Sequence, residues 1–94
     1  MEEEKVYDAE VRTHYDDPVT NERKRGWVLM PVWKAYQRRE TDVRCKECHA
    51  RVKLMKAGPN NLPAAHAEHF QGFEGCSLSY KFNGTRSANP DAID

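Results

Sequence analysis

Five side chains in this sequence have the types and spacing of a metal site. Cys45 and Cys48 are separated by two residues. After seventeen intervening residues come His66 and His69, again separated by two, and after six more intervening residues Cys76. Thiolate and imidazole are ligands that Zn²⁺ accepts, four at a time in a tetrahedron. A Cys-x2-Cys turn lets two sulfurs face one ion while nearby backbone N–H groups hydrogen-bond them. The remaining ligands must return from further along the chain, so the metal closes the intervening loop. Five candidates compete for four places. Cys45, Cys48, His69 and Cys76 are the expected ligands of one Zn²⁺, because a thiol left outside the site in so polar a chain would be open to oxidation. His66 is the alternative to His69, or a neighbour that supports it. Arg44 and Lys46 flank the knuckle and would offset part of the thiolate charge.

Other chemistries for these residues fit less well. A redox dithiol is expected within a βαβ unit, and no such pattern surrounds Cys45 and Cys48. Cys45-Lys46-Glu47-Cys48-His49 is also the Cys-x2-Cys-His spelling of covalent haem attachment. The spare Cys76, the central placement and the lack of surrounding amphipathic helices speak against it. A catalytic zinc would keep a position open to water and need a general base beside it. His66 and Glu68 are the available groups, and five candidate ligands make a closed site easier to build than an open one. No residue is therefore assigned a catalytic role.

The elements that must position these ligands belong to a small chain. It has 94 residues, of which 38% are hydrophobic and 32% charged. That is one small domain over residues 1–94, with a thin core that needs a staple. No apolar run reaches the roughly 20 residues of a membrane span. The start, Met1-Glu2-Glu3-Glu4-Lys5, lacks the cationic and apolar regions of a signal peptide. With an odd cysteine count, this points to the reducing cytoplasm.

Period-two alternation of Tyr7, Ala9 and Val11 predicts a strand over 6–11. His14–Gly26 reads as a loop or hairpin connection. In Trp27–Tyr36, Pro31 argues against a continuous helix. A strand that breaks at Pro31 is preferred, with a short helix over Val32–Arg39 as the alternative. Val52-Lys53-Leu54 suggests that the knuckle opens a β-hairpin, and Gly58-Pro59-Asn60-Asn61 is a strong turn. A short helix is expected near Ala67. Residues 43–80 form the zinc-binding core, and residues 1–5 and 85–94 are expected to be flexible. The fold class is α+β: a small zinc-stapled antiparallel sheet of hairpins with one or two short helices.

The motif Arg44-Cys45-Lys46-Glu47-Cys48, with Val52-Lys53-Leu54, Lys56-Ala57-Gly58, Pro63-Ala64-Ala65-His66-Ala67-Glu68-His69 and Cys76, resembles a bacterial zinc-binding module. That module, of the zinc-ribbon type, stands at the front of competence-associated nucleases of the CoiA kind. Its usual form is Cys-Pro-x-Cys, a hairpin and Pro-His-Phe-x-His. Here Lys46 replaces the proline and Ala67 the phenylalanine, and the resemblance covers residues 43–80, so no nuclease domain is expected within these 94 residues. It implies metal binding and a link to DNA transactions, not cleavage.

The formal net charge is zero, with 15 basic and 15 acidic side chains, but the charges are segregated. Residues 1–22 are net −6, residues 23–56 net +8 and residues 57–94 net −2. Arg23, Lys24, Arg25, Arg38, Arg39, Lys46, Arg51 and Lys53 are the candidate nucleic-acid contacts within the basic block, with Lys34, Arg44 and Lys56 beside them. Trp27, Trp33 and Tyr36 are interleaved with these cations. Cations replace phosphate counterions and rings stack on bases. The plainer expectation is that a small domain buries both tryptophans and solvates its basic strand faces. The acidic arm either folds over the basic body or meets a basic partner. The expected function is a non-catalytic zinc-binding module that contacts nucleic acid or a DNA-processing complex. The alternatives are a protein–protein adaptor or inhibitor that uses the acidic arm, and a metal-dependent nuclease.

Overall fold

The computed structural model describes residues 6–93. The expectation of a flexible segment over 1–5, and that for Asp94, lie outside the described residues. Strand β1 (Asp8–Asp16) and β2 (Arg23–Pro31) form a long hairpin, followed by helix α1 (Val32–Gln37). Strands β3 (Val43–Arg44), β4 (Val52–Met55), a 3₁₀ turn (Pro59–Asn61) and β5 (His66–His69) complete the order. Two antiparallel sheets result, one ordered β2-β1-β3 and the other β4-β5. The fold is α+β.

The hairpin runs further than hydrophobic alternation indicates. Ala9 and Val11 face inward against Met30 and Val28, but the ladder continues through the polar pairs His14↔Arg25, Tyr15↔Lys24 and Asp16↔Arg23. Its tip holds these strands in register. Asp17 N–H donates to Glu22 O at 2.9 Å, and Asn21 N–H to Asp17 O at 2.8 Å with Asn21 at φ +57°. The Asp17 carboxylate accepts from Val19 N–H at 2.8 Å and from Lys24 Nζ at 2.8 Å. Glycine at 26 admits the Tyr15 ring, which would crowd any β-carbon there at 3.2 Å.

Both readings of the Trp27–Tyr36 stretch are realised in sequence. β2 ends at Pro31, which cannot continue the ladder, and Pro31 then serves as the N-cap of α1. Val32 N–H donates to Tyr7 O at 2.8 Å, so the helix starts against the root of β1. Val32 and Ala35 are its buried residues. Arg39, at φ +56°, turns the chain out of the helix.

The short helix expected near Ala67 is strand β5 instead. Ala67 is fully buried and hydrogen-bonded on both sides. It pairs with Leu54 of β4, and its N–H donates to Val6 O at 2.7 Å. A helix would leave both neighbours unpaired. The pairings form a ring. β1 pairs with β3, the bridge Arg44↔Arg51 leads to β4, β4 pairs with β5, and the bridge Ala67↔Val6 returns to the root of β1.

Small residues fill the ring. The largest fully buried side chains are Val6, Val11, Val32, Val43, Cys45 and Cys76. Trp33 is 57% exposed, contrary to the expectation that a small domain buries it. Trp27 is half-buried, with the guanidinium groups of Arg44 and Arg12 at 4.1 and 4.6 Å from its ring centroid.

A β-carbon at Gly58 would run into the carbonyl oxygen of Leu62 within the β4–β5 connection. Gly58→Ala should therefore lower the melting temperature and, by shifting β5, weaken metal retention, both measurable on one sample. The hydrogen bond with Lys24, then the Val19 N–H, holds the Asp17 carboxyl below its ordinary range. Its contribution is present above the unfolded carboxyl pKa and is lost as pH falls through the folded one. Amide exchange at Val19 and Asn21 should rise over that acidic interval in the wild type and be fast throughout in Asp17→Ala.

Candidate metal centre

The knuckle is built by the backbone. Cys45 N–H donates to Ala50 O at 2.8 Å and His49 N–H to Cys45 O at 2.9 Å, with His49 in the left-handed region at φ +62°. This tight loop puts Cys45 and Cys48 on one side. β5 then carries His69 in beside Val52, its partner on β4, and a turn over Phe73–Ser79 supplies Cys76. Cys76 N–H donates to Phe73 O and Ser79 N–H to Cys76 O, at 3.2 and 3.0 Å. The Ser79 hydroxyl accepts from Phe73 N–H at 3.0 Å and braces the same turn.

The ligand atoms of Cys45, Cys48, His69 and Cys76 all lie within 4.8 Å of one another. Cys45 Sγ is 3.7 Å from Cys76 Sγ, and His69 Nε2 is 3.4 Å from Cys48 Sγ and 3.7 Å from Cys76 Sγ. An ion with bonds of about 2.3 Å to sulfur and about 2.0 Å to nitrogen would give tetrahedral edges of about 3.8 Å (S–S) and about 3.5 Å (S–N). The three measured edges fall close to these values. All four residues are buried, between 0 and 8% exposed. The donor set and its geometry fit one metal ion.

His66 does not join the cluster. Residues three apart on a strand point to opposite faces, whereas on a helix they share one. Because β5 is a strand, His69 turns toward the thiols and His66 away from them. His66 Nδ1 lies 2.9 Å from Ala64 O, and Nε2 lies 3.0 Å from the Glu68 carboxylate.

Each sulfur is paired with the backbone two residues on. Glu47 N–H donates to Cys45 Sγ at 3.4 Å, Ala50 N–H to Cys48, and Leu78 N–H to Cys76. These donors favour thiolate. Three thiols at this range cannot all ionise without a cation beside them. The contact with Cys48 pushes the Cys45 thiol up and burial adds to it, while the same contact and then His69 pull Cys48 down to about 3 against its burial. Burial pushes Cys76 up.

Sequence reasoning missed the C-terminal segment. The Asn89 side chain hydrogen-bonds Cys48, while its Oδ1 accepts from Asp91 N–H at 2.8 Å. Ile93 N–H donates to His49 O at 2.8 Å, and Arg44 Nη1 donates to Ile93 O at 2.7 Å. An Asn-x-Asp turn was the only signal, and it says nothing about what the turn packs against. Arg44 and Lys46, expected to offset thiolate charge, are engaged elsewhere, Arg44 with Glu10 at 2.9 Å and Lys46 with Asp8 at 2.6 Å.

Most of the candidate nucleic-acid contacts are paired with carboxylates of the same chain. Arg23 meets Asp16, Lys24 meets Asp17, Arg25 and Arg51 both meet Asp42, Arg38 meets Glu40, Lys46 meets Asp8 and Lys53 meets Glu68, at 2.6 to 4.0 Å. Arg39 makes no ion pair among the described residues. Several of the acids come from the acidic N-terminal block, whose described part therefore folds over the basic body as β1.

A protein-family model matches residues 1–94, and its description states no activity. The chain belongs to that family. A curated relative from Azorhizobium caulinodans, described as an uncharacterized protein, is 45% identical over 53 residues, covering 54% of this chain. The matched region spans 62% of that relative's length. No solved structure matches the chain. No helix of the described residues is long and apolar enough to cross a membrane.

Strand geometry makes the ligand set testable. Metal analysis should give one ion per chain for the wild type and for His66→Gln. His69→Ala and Cys76→Ser should lose the ion or fail to fold. Equal loss in His66→Gln would refute the assignment of ligands by strand face.

Proposed function

We propose that this protein is a non-catalytic module built on one structural Zn²⁺, and that it contacts nucleic acid or a DNA-processing complex. The observation that carries the metal half is the closed cluster of three thiols and one imidazole with near-tetrahedral edges. Three cysteines and a histidine are a common structural zinc set, and thiolate donors select against Mg²⁺ and Ca²⁺. Four protein ligands leave no position for a reacting water, and His66 and Glu68, the candidate acid–base pair, are bonded to each other. Nuclease chemistry has no support in this arrangement. Reduced, metal-bound thiols suit the cytoplasm.

The nucleic-acid half rests on composition and on the resemblance of residues 43–80 to the zinc segment of CoiA-type nucleases. The paired cations do not remove it, because exposed ion pairs are worth little and phosphate can replace a carboxylate. The adaptor reading draws less support, since Asp8, Glu10, Asp16 and Asp17 already face cations of the same chain.

Complete chelation should cause a cooperative loss of circular dichroism, because metal binding and folding are coupled in cores this thin. An unchanged spectrum and melting curve would remove the structural role. Binding to DNA or RNA should be measurable at low salt and fall steeply with added salt. No binding at low salt would end the nucleic-acid reading. The zinc-loaded protein should not nick plasmid with Zn²⁺, Mg²⁺ or Mn²⁺ added, and metal-dependent nicking would overturn the non-catalytic assignment.

A further inference from the structure

One stretch of the basic block differs from the rest. Segment Val32–Arg39 contains Lys34, Arg38 and Arg39 and no acid. Its inward residues, Val32 and Ala35, anchor α1 on the core. Trp33 and Tyr36 stand one helical turn apart, which places them on the same side of the helix, and they are 57% and 43% exposed. The two rings have no role in the core, where the space is filled by valine and alanine.

The cations here also differ from those elsewhere. Lys34 and Arg39 make no ion pair or hydrogen bond through their side chains among the described residues. Arg38 is tethered, with Nη2 at 3.3 Å from Thr13 Oγ1 and 4.0 Å from Glu40. Glu40, the nearest acid in sequence, turns inward, and its Oε2 is buried. A phosphate approaching α1 therefore meets two free cations without displacing a carboxylate, whereas at Arg23, Arg25 or Arg51 it would compete with one. Exposed rings with free cations close by in sequence are complementary to unpaired bases on an anionic backbone, and a duplex would offer its phosphates but no base face to stack on.

We propose that the exposed surface of segment Val32–Arg39, with Trp33 and Tyr36 on α1 as stacking platforms and Lys34 and Arg39 flanking them as phosphate contacts, binds single-stranded nucleic acid. This rests on the nucleic-acid reading above and names its surface and strand state.

The test uses the full, zinc-loaded chain and an oligothymidylate, followed by fluorescence. Of the two tryptophans, Trp33 is exposed and Trp27 lies beneath two guanidinium groups, so saturable quenching by the oligonucleotide should come from Trp33. Trp33→Phe should bind with near wild-type affinity and lose most of the quenching. Trp33→Ala with Tyr36→Ala should weaken binding at least about tenfold, given what each stacked base contributes. Lys34→Gln and Arg39→Gln should each lower the slope of log affinity against log salt by about 0.7. These side chains are outside the core, so each variant should keep its metal and its melting temperature. Tighter binding to a duplex of equal length, or affinity that is insensitive to these changes and lost in Arg23→Gln with Arg25→Gln, would overturn the proposal while leaving nucleic-acid binding intact. No binding to any nucleic acid at low salt would remove both.

Discussion

The convergence of three sulfurs and one imidazole nitrogen is the constraint on which the rest of this structure depends. A core of valines and alanines buries little hydrocarbon, and three of the thirteen buried apolar residues among those described are the cysteines themselves. The interior is therefore continuous with the ligand set. An ion there would tie the knuckle, β5 and the Cys76 turn to one another. Apparent binding energies of structural zinc run to about 10–16 kcal/mol, as large as the whole stability of a typical domain. On that scale a bound ion would outweigh the individual turns and exposed ion pairs.

The backbone prepares the site for that ion. Each sulfur accepts an N–H from the residue two positions on, an arrangement set by three local turns and not by the metal. Asn89 adds a donor to Cys48 from the C-terminal segment. Charge compensation works differently from what the neighbours of the cysteines suggest. Arg44 and Lys46 answer Glu10 and Asp8 on β1, and Arg44 also holds the carbonyl of Ile93. Partial charges of amides face the sulfurs, while full charges pair with one another around the rim. The segregation of acidic and basic blocks along the chain becomes neutrality in space, because β1 lies antiparallel to β2 and beside β3.

The metal-site residues were legible in the sequence because ligand type and spacing are local properties. The knuckle, the Gly58 turn, the strand near Val52 and the break at Pro31 were legible for the same reason. The extent of the first hairpin was not. Cross-strand charge pairs such as Asp16 with Arg23 carry the ladder where hydrophobic alternation has ended. β5 was misread as helix because Ala67 and Glu68 suit a helix, and the pairing that overrides this preference comes from Val6 and Leu54, far away in sequence. The exposure of Trp33 was not readable, since it follows from a ring of strands filled by valine that has no room for indole. The tie between Ile93 and His49 had no signal at all.

The closed ring of strand pairings has a consequence for how the chain is made. Val6 finds its partner only when Ala67 exists, β1 completes its sheet only with β3, and Cys45 and Cys48 wait for His69 and Cys76. The pairings that close the ring span long stretches of chain, which places that closure after the local β1–β2 hairpin. During synthesis the first two thiols emerge well before the other ligands, at a time when nothing shields them. If the cluster takes an ion, these two thiols must stay reduced until His69 and Cys76 join them.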